Sequence, residues 1–348
     1  MQVLNYNKAI VWWLISGIFL IMAMVVIGGI TRLTGSGLSI VEWNVISGTL
    51  PPLTHEAWLL AFEKYKQFPE YQKINYSMTL DGFKSIFWWE YLHRLLGRVM
   101  GVVFIVPFLY FWANNMLSGW LLKRLIFILL LGMAQAVMGW VMVKSGLVDN
   151  PHVSHYRLAA HLCLALALVL FITRTVTDMV LPRSYNAAVP NLSSLATGVL
   201  ALVIVQIILG AFVAGLKAGF SYNTFPLMNG KLLPSHLNDT LTWTNFLENG
   251  VLVQFIHRWF AMIVLAAVVW LWVAAHKHKV NGIAKTIVNY MLLTTLVQVI
   301  LGIATLLLAV PVSLGVLHQL VAIVLAGVVL VLVQQTTIAT HKPQIERV

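Results

Sequence analysis

The chain has 348 residues, 60% hydrophobic and 9% charged, with a formal net charge of +11 and a mean hydropathy of +0.87. Soluble domains carry about 25% charged residues, so a soluble globular enzyme is excluded, and apolar runs that are continuous rather than alternating exclude a β-barrel. The basic excess lies in short loops, where it sets topology and meets anionic membrane lipid, so no nucleic acid is expected as a partner.

Taken in chain order, segments long enough to cross a bilayer as helices, roughly 20 apolar residues each, fall near 11–30, 94–113, 122–143, 156–176, 194–216, 251–275, 286–309 and 313–335. The expected fold is an all-α integral membrane protein with eight transmembrane helices. The N-terminus lacks the basic flank and short apolar core of a signal peptide, and it lacks an Arg- and Ser-rich transit pattern, so residues 11–30 read as a true span. An even number of spans puts both termini on one side. Lys8, Lys123, Arg124, Arg174, Arg183, Lys277, Lys279, Lys285, Lys342 and Arg347 make that side cytoplasmic. Of the 11 acids only Asp178 and Glu346 share it. The single Cys163 lies in the fourth span, so no intrachain disulfide forms.

The chain repeats itself. LSIVEWNVISGTLPP (38–52) lies without a gap on FSYNTFPLMNGKLLP (220–234), pairing Gly37 with Gly219, Ser39 with Ser221, Gly48 with Gly230 and Pro52 with Pro234. YLHRLLGRVMG resembles FIHRWFAMIVL, so His93-Arg94 matches His257-Arg258. QAVMG (135–139) matches QVILG (298–302), QIILG recurs at 206–210, and His161 corresponds to His318. Four spans per copy give both copies one orientation. The expected architecture is therefore two similar four-helix bundles related by a pseudo-two-fold axis along the membrane normal. Residues 1–176 form the N-terminal half, 177–193 a cytoplasmic linker and 194–348 the C-terminal half. The first outer loop is longer than its counterpart and carries FEKYKQFPEYQKINY; the stretch 53–87 reads equally as a lid or as a docking surface.

His93, His161, His257 and His318 each stand near the outer entry of a span, at one depth. Imidazoles on facing helices at equal depth clamp an iron porphyrin from both sides, which gives one clamp per half: His93 with His161, and His257 with His318. A lone membrane histidine is as readily explained by a bond to a carbonyl; four in a duplicated pattern are not. His152 and His155 are outer-loop residues close enough to His161 to border the first site, though loop residues without that role are the favoured reading. His55 and His236 fall in outer loops, while His276, His278 and His341 are solvated on the cytoplasmic side. Gly97 and Gly101 follow His93 on its own helix face, where they admit either a flat macrocycle or a close helix neighbour. Gln135, Gln206 and Gln298 read as hydrogen-bonding groups between helices without chemistry of their own.

Glu90, His93 and Arg94 share a helix face. Glu90 is explained structurally by the helix dipole and by Arg94 at i+4, but the repeat carries Gln254 where Glu90 stands while keeping the histidine and arginine. A heme-holding site needs ligands and cations for propionates. A site that oxidises its heme also needs a group that accepts protons or opposes positive charge. The asymmetry points to a reactive first half and a resident heme in the second. Arg94, Arg98, Arg157 and Arg258 are candidate propionate partners, with snorkelling to the interface as the competing account.

These residues resemble the heme A synthase family over essentially the whole chain. The resemblance rests on the duplicated spans, the ExxHR run at Glu90–Arg94, His161, His257, His318 and the early outer stretch TRLTGSGLSIVEW (31–43). It implies a heme B cofactor held by His257 and His318 and a heme O substrate between His93 and His161. The C8 methyl is oxidised stepwise to a formyl with water as oxygen source, Glu90 near the methyl carbon, for cytochrome oxidase assembly. Without an outer-loop cysteine pair the chain resembles the branch found in proteobacteria and mitochondria. The expected location is the bacterial cytoplasmic (inner) membrane, with the heme sites toward the periplasmic side. Expected partners are the heme O-forming farnesyltransferase, oxidase assembly factors and an electron acceptor the sequence does not name. Two competing readings remain: a di-heme b-type electron carrier, which leaves the Glu90–Gln254 difference unexplained, and a heme-free transporter, which fits poorly with spans interrupted by few prolines (Pro107 the clearest).

Overall fold

The computed structural model describes residues 7–43, 47–148, 151, 153–181, 192–234 and 246–337. His152, His236, His341, Arg183, Lys342, Glu346, Arg347 and most of the linker lie outside the described residues. Among the described residues the chain forms α1 (Lys8–Leu33), α2 (His55–Lys66), α3 (Pro69–Lys73), α4 (Leu80–Ala113), α5 (Gly119–Gly146), α6 (His155–Val180), α7 (Leu192–Gly215), α8 (Gly250–Lys277), α9 (Gly282–Leu307) and α10 (Val312–Thr336), with short 3-10 turns at Ser47–Thr49 and Ala218–Phe220. Eight of these, all but α2 and α3, are long and apolar enough to cross a membrane.

Side chains mark several helix starts. Asn7 accepts from the Ala9 amide at 2.9 Å, Thr79 from Gly82 at 3.3 Å, and Asn249 from Val251 and Leu252 at 3.0 and 3.2 Å. Each satisfies amides that the first turn leaves without helical partners. At the far end of α1, Gly35 adopts φ +64, and the Ser36 amide returns to the Thr31 carbonyl at 2.8 Å. That left-handed turn suits glycine and directs the chain sharply into the outer stretch after α1. Pro107 sits inside α4 without ending it.

In the N-terminal half α1 packs on α4 and α6, α5 packs on α6, and α4 touches α5. In the C-terminal half α7 packs on α8 and α10, α9 on α10, and α8 on α9, so every contact between spans of one half has its counterpart in the other. The halves meet through α1 with α10, α6 with α7, and α6 with α10. α6 and α10 are accordingly the most enclosed spans, 44% and 39% buried against 6% for α5 and 11% for α9. Leu125, Val268, Leu271, Met291, Ile323 and Leu332 are fully buried between helices, whereas Trp12 and Phe19 point outward, as bilayer-facing side chains do.

One element differs in extent from its sequence expectation. The second span was expected to begin near residue 94, yet α4 begins at Leu80 and runs 34 residues. At 1.5 Å per residue it is about 51 Å long, more than the ~30 Å hydrocarbon layer, so its first turns project beyond the bilayer. They stay helical because α2 packs on them: Phe62, Tyr65, Phe83, Phe87 and Tyr91 form a second apolar cluster, with Phe62 and Phe83 stacked at 5.1 Å. The stretch 53–87 is a helical cap built on the extension of α4.

Candidate functional site: two histidine pairs and an outer cavity

His161, His257 and His318 lie within the first two turns of α6, α8 and α10, and His93 follows the projecting part of α4. His93 is near enough to His161 for their charges to interact, and His257 stands in the same relation to His318. Each imidazole lies against a glycine of the preceding span. A Cβ added to Gly28, Gly139, Gly210 or Gly302 would stand 2.8, 3.4, 3.1 or 2.9 Å from Cε1 of His93, His161, His257 or His318 respectively. At three of the four, a methyl group would push the ring aside. The sequence held a signal for this seat in the recurring Q-x-x-x-G, but the glycines singled out beforehand were those on the helix of His93. Of these, a Cβ added to Gly97 would stand 3.3 Å from the Met24 methyl, and one added to Gly101 would meet open space.

A cavity of about 1130 Å³ opens between α1, α4, α5 and α6 and is lined by His93, His161, Glu90, Gly28, Gly97 and Gly101. That is somewhat larger than ordinary ligand pockets, which span about 300–1,000 Å³. The Nδ1 atoms of His93, His161 and His318 are buried without a hydrogen-bond partner. No cluster of three or more His, Cys, Asp or Glu suited to a bare metal ion occurs among the described residues. Paired, glycine-seated imidazoles beside a large apolar chamber fit an iron porphyrin, whose own nitrogens supply the equatorial ligands.

Glu90 is 2% exposed and held from three directions. Arg94 pairs with Oε1 at 2.5 Å; the Ser39 hydroxyl and the Ile40 amide donate to Oε2 at 2.7 and 2.8 Å. Arg94 also donates to the carbonyls of Ile40 (2.7 Å) and Glu42 (2.9 Å) and lies over the Trp43 ring. In the second half Arg258 donates to the carbonyls of Tyr222 and, at 2.7 Å, Thr224, and the Gln254 amide donates to Tyr222 at 3.1 Å. The gapless repeat register pairs Ile40 with Tyr222 and Glu42 with Thr224. Each arginine therefore fastens the corresponding loop of its own half onto the corresponding helix, a use that residue type and spacing had not revealed.

The cations bordering the cavity are Arg32, Arg94, Arg98 and Lys217. Arg32 and Lys217 had not been singled out; Arg32 reaches across to the Ala214 carbonyl at 3.1 Å. Arg157 is exposed on α6 and does not border the cavity. His155 is buried where the halves meet, against Tyr156 and Phe212.

The cap contributes a second carboxylate. Glu70, 7% exposed, lines the cavity and accepts from the Tyr65 hydroxyl at 3.1 Å, which in turn accepts from Asn75 at 2.8 Å. Burial pushes the Glu70 carboxyl up to about 7; the Tyr65 bond and Lys217 pull it down, and the charge on Glu90 adds to the rise.

Eight helices long and apolar enough to cross a membrane, with His93 placed near His161, His257 near His318 and a helical cap on α4, define a multi-pass membrane protein with a histidine pair in each half. The chain belongs to the cytochrome oxidase assembly protein family, whose model matches residues 11–330. It is 47% identical to the heme A synthase of Nitrosospira multiformis over 92% of this chain and 91% of that protein. It is 46% identical to the heme A synthase of Parvibaculum lavamentivorans, over 92% of each. It is 43% identical to that of Flavobacterium psychrophilum, over 92% of this chain and 95% of that one.

Proposed function

We propose that the protein oxidises the C8 methyl group of heme O to a formyl group, yielding heme A for cytochrome oxidase, with water as the oxygen source. The full-length likeness to heme A synthases supports this reading. The observation that carries it is the placement of Glu90 on the cavity wall, where the corresponding position of the other half holds the neutral Gln254. Heme O occupies the cavity between His93 and His161. His257 and His318 would hold heme B, which would supply a one-electron relay for the oxidation, the electrons going on to an external acceptor.

The rest of the work falls to side chains. Glu90, fixed by Arg94, Ser39 and the Ile40 amide, is a preorganised negative charge that opposes positive charge developing on the substrate carbon. With its donors already in place it needs no reorganisation during the reaction. Arg32, Arg98 and Lys217 border the chamber and meet the propionates. The cap keeps bulk water from the apolar walls while Glu70 carries protons at its edge. Both termini lie in the cytoplasm, the heme sites face the periplasmic side of a bacterial inner membrane, and the halves are related by a pseudo-two-fold axis along the membrane normal. The heme O-forming farnesyltransferase and oxidase assembly factors are the partners.

Heme extraction and chromatography of the purified protein tests the assignment. Wild type should yield heme B together with heme O or heme A. His93→Ala should lose the O/A-type pigment and His257→Ala the heme B. Glu90→Gln should keep both pigments while heme A formation falls by about 100-fold or more. Heme B alone in both sites, with full function in Glu90→Ala, would make the protein a di-heme electron carrier instead.

A further inference from the structure

The cavity of the first half runs deeper than its histidines require. It passes from the cap along the spans, beyond His93 and His161, to Leu14 on α1, Phe104 on α4, Ile128 on α5 and Ile172 on α6. At 1.5 Å per residue, Phe104 stands about 17 Å beyond His93, and Ile172 about as far beyond His161. Among the described residues, every charged side chain bordering the cavity lies at Arg98 or nearer the cap; past that point the walls are apolar.

Three glycines hollow out this inner part. Gly17, Gly101 and Gly132 line the cavity from three different spans, and a Cβ added to any of them would meet nothing within 4 Å. The register that pairs Gly28 with Gly210 pairs Gly17 with Val199. Pairing His93 with His257 sets Gly101 against Leu265, and pairing Gly139 with Gly302 sets Gly132 against Thr295. Val199 and Thr295 are 4% and 2% exposed, and Leu265 is half-buried. Side chains thus occupy the positions in the second half that the first half leaves bare. At the outer end of the same cavity, Nδ1 of His93 and of His161 is buried without a partner.

Heme O and heme B share a macrocycle and two propionates. They differ in one long isoprenoid chain, which heme O carries on the ring edge away from the propionates. A heme B site needs room for the ring; a heme O site needs a further apolar compartment on one side. We propose that the inner part of the first chamber is the subsite for the isoprenoid tail of heme O, and that Gly17, Gly101 and Gly132 select heme O over heme B there. The inference rests on the assignment of heme O to this chamber and deepens it. Lipid is as apolar as the chamber, so leaving the bilayer supplies little driving force. Selection comes from packing: the tail fills the floor with close contacts, whereas heme B leaves a void whose walls forfeit theirs. A tail seated inward also turns the propionates toward the outer cations Arg32 and Lys217.

The test uses the full-length protein from cells that make no prenylated heme, purified into lipid nanodiscs and titrated with heme O or heme B. Binding at the first site is read from the Soret difference spectrum. Wild type should bind heme O about 10-fold or more tightly than heme B. Gly17→Leu and Gly132→Leu, which fill the floor, should lose about that factor for heme O and bind heme B as wild type does. Gly132→Ala, whose methyl group meets open space, should keep most of the preference. Heme B copurifying through the second site reports that a variant is folded; where a leucine variant retains none, valine at the same position takes its place. Equal affinity of wild type for the two hemes overturns the inference, as do filled variants that keep the preference or weaken both hemes alike. Preference for heme O in a protein that forms no heme A would defeat the synthase reading and leave the subsite standing. A first site that binds neither heme defeats both.

Discussion

At the scale of single residues, the four glycine seats make a graded prediction. The approach is tightest at Gly28 and Gly302 (2.8 and 2.9 Å), intermediate at Gly210 (3.1 Å) and loosest at Gly139 (3.4 Å). Overpacking of this kind costs about 1–3 kcal/mol, so alanine at Gly302 should empty the proposed heme B site more than alanine at Gly210. Gly139→Ala should keep near-normal pigment. The heme-to-protein ratio of each purified variant checks the order, and equal loss at all four would contradict the seating. The histidines and Glu90 were legible in the sequence because an ionisable group in an apolar helix needs a reason to be there. The glycines were not, because a residue without a side chain declares its purpose only when the opposing helix is seen. Arg94 and Arg258 were visible as cations, but nothing in their spacing told that loop carbonyls would accept their donors.

At the scale of elements, the cap is where sequence reading reached least far. A hydropathy window finds the bilayer-crossing part of α4 and stops at its amphipathic extension, where Phe83, Phe87 and Tyr91 alternate with Asp81 and Lys84. The cap also carries a pH dependence. Its packing buries Glu70 in the neutral form, so the contribution of that group is complete below the ordinary carboxyl value of 4.5 and is lost as the pH rises through about 7. Glu90, Lys217 and Tyr65 are the ionisable groups that act on it. Amide exchange across residues 55–79 should accelerate between pH 5 and pH 8.5, by up to roughly a hundredfold at the limit, and Glu70→Gln should flatten the change. Equal exchange at both pH values in the wild type would remove Glu70 from the account.

At the scale of the whole molecule, the eight spans and the two-copy pattern were readable because membrane helices must be long, continuous and apolar. How the copies meet was not readable, since the apolar faces of α6 and α10 look in sequence like faces turned to lipid. In the structure these two helices carry the contact between halves, joined near the C-terminal end of each by Gln334 donating to the Arg174 carbonyl and Asp178 at 3.1 and 3.2 Å. Halves cut within the linker and expressed together should therefore reassociate and copurify, whereas 1–181 produced alone should hold no heme. Heme binding by that fragment would show that the first chamber is self-sufficient.

The chamber is not walled by its own half alone. Ala214, Gly215 and Lys217 border it from the far side, and so does Gln319, the immediate neighbour of His318. On the proposed ligation α10 both borders the first chamber through Gln319 and carries a ligand of the second site through His318. Any substitution that shifts α10 is then felt at both sites at once.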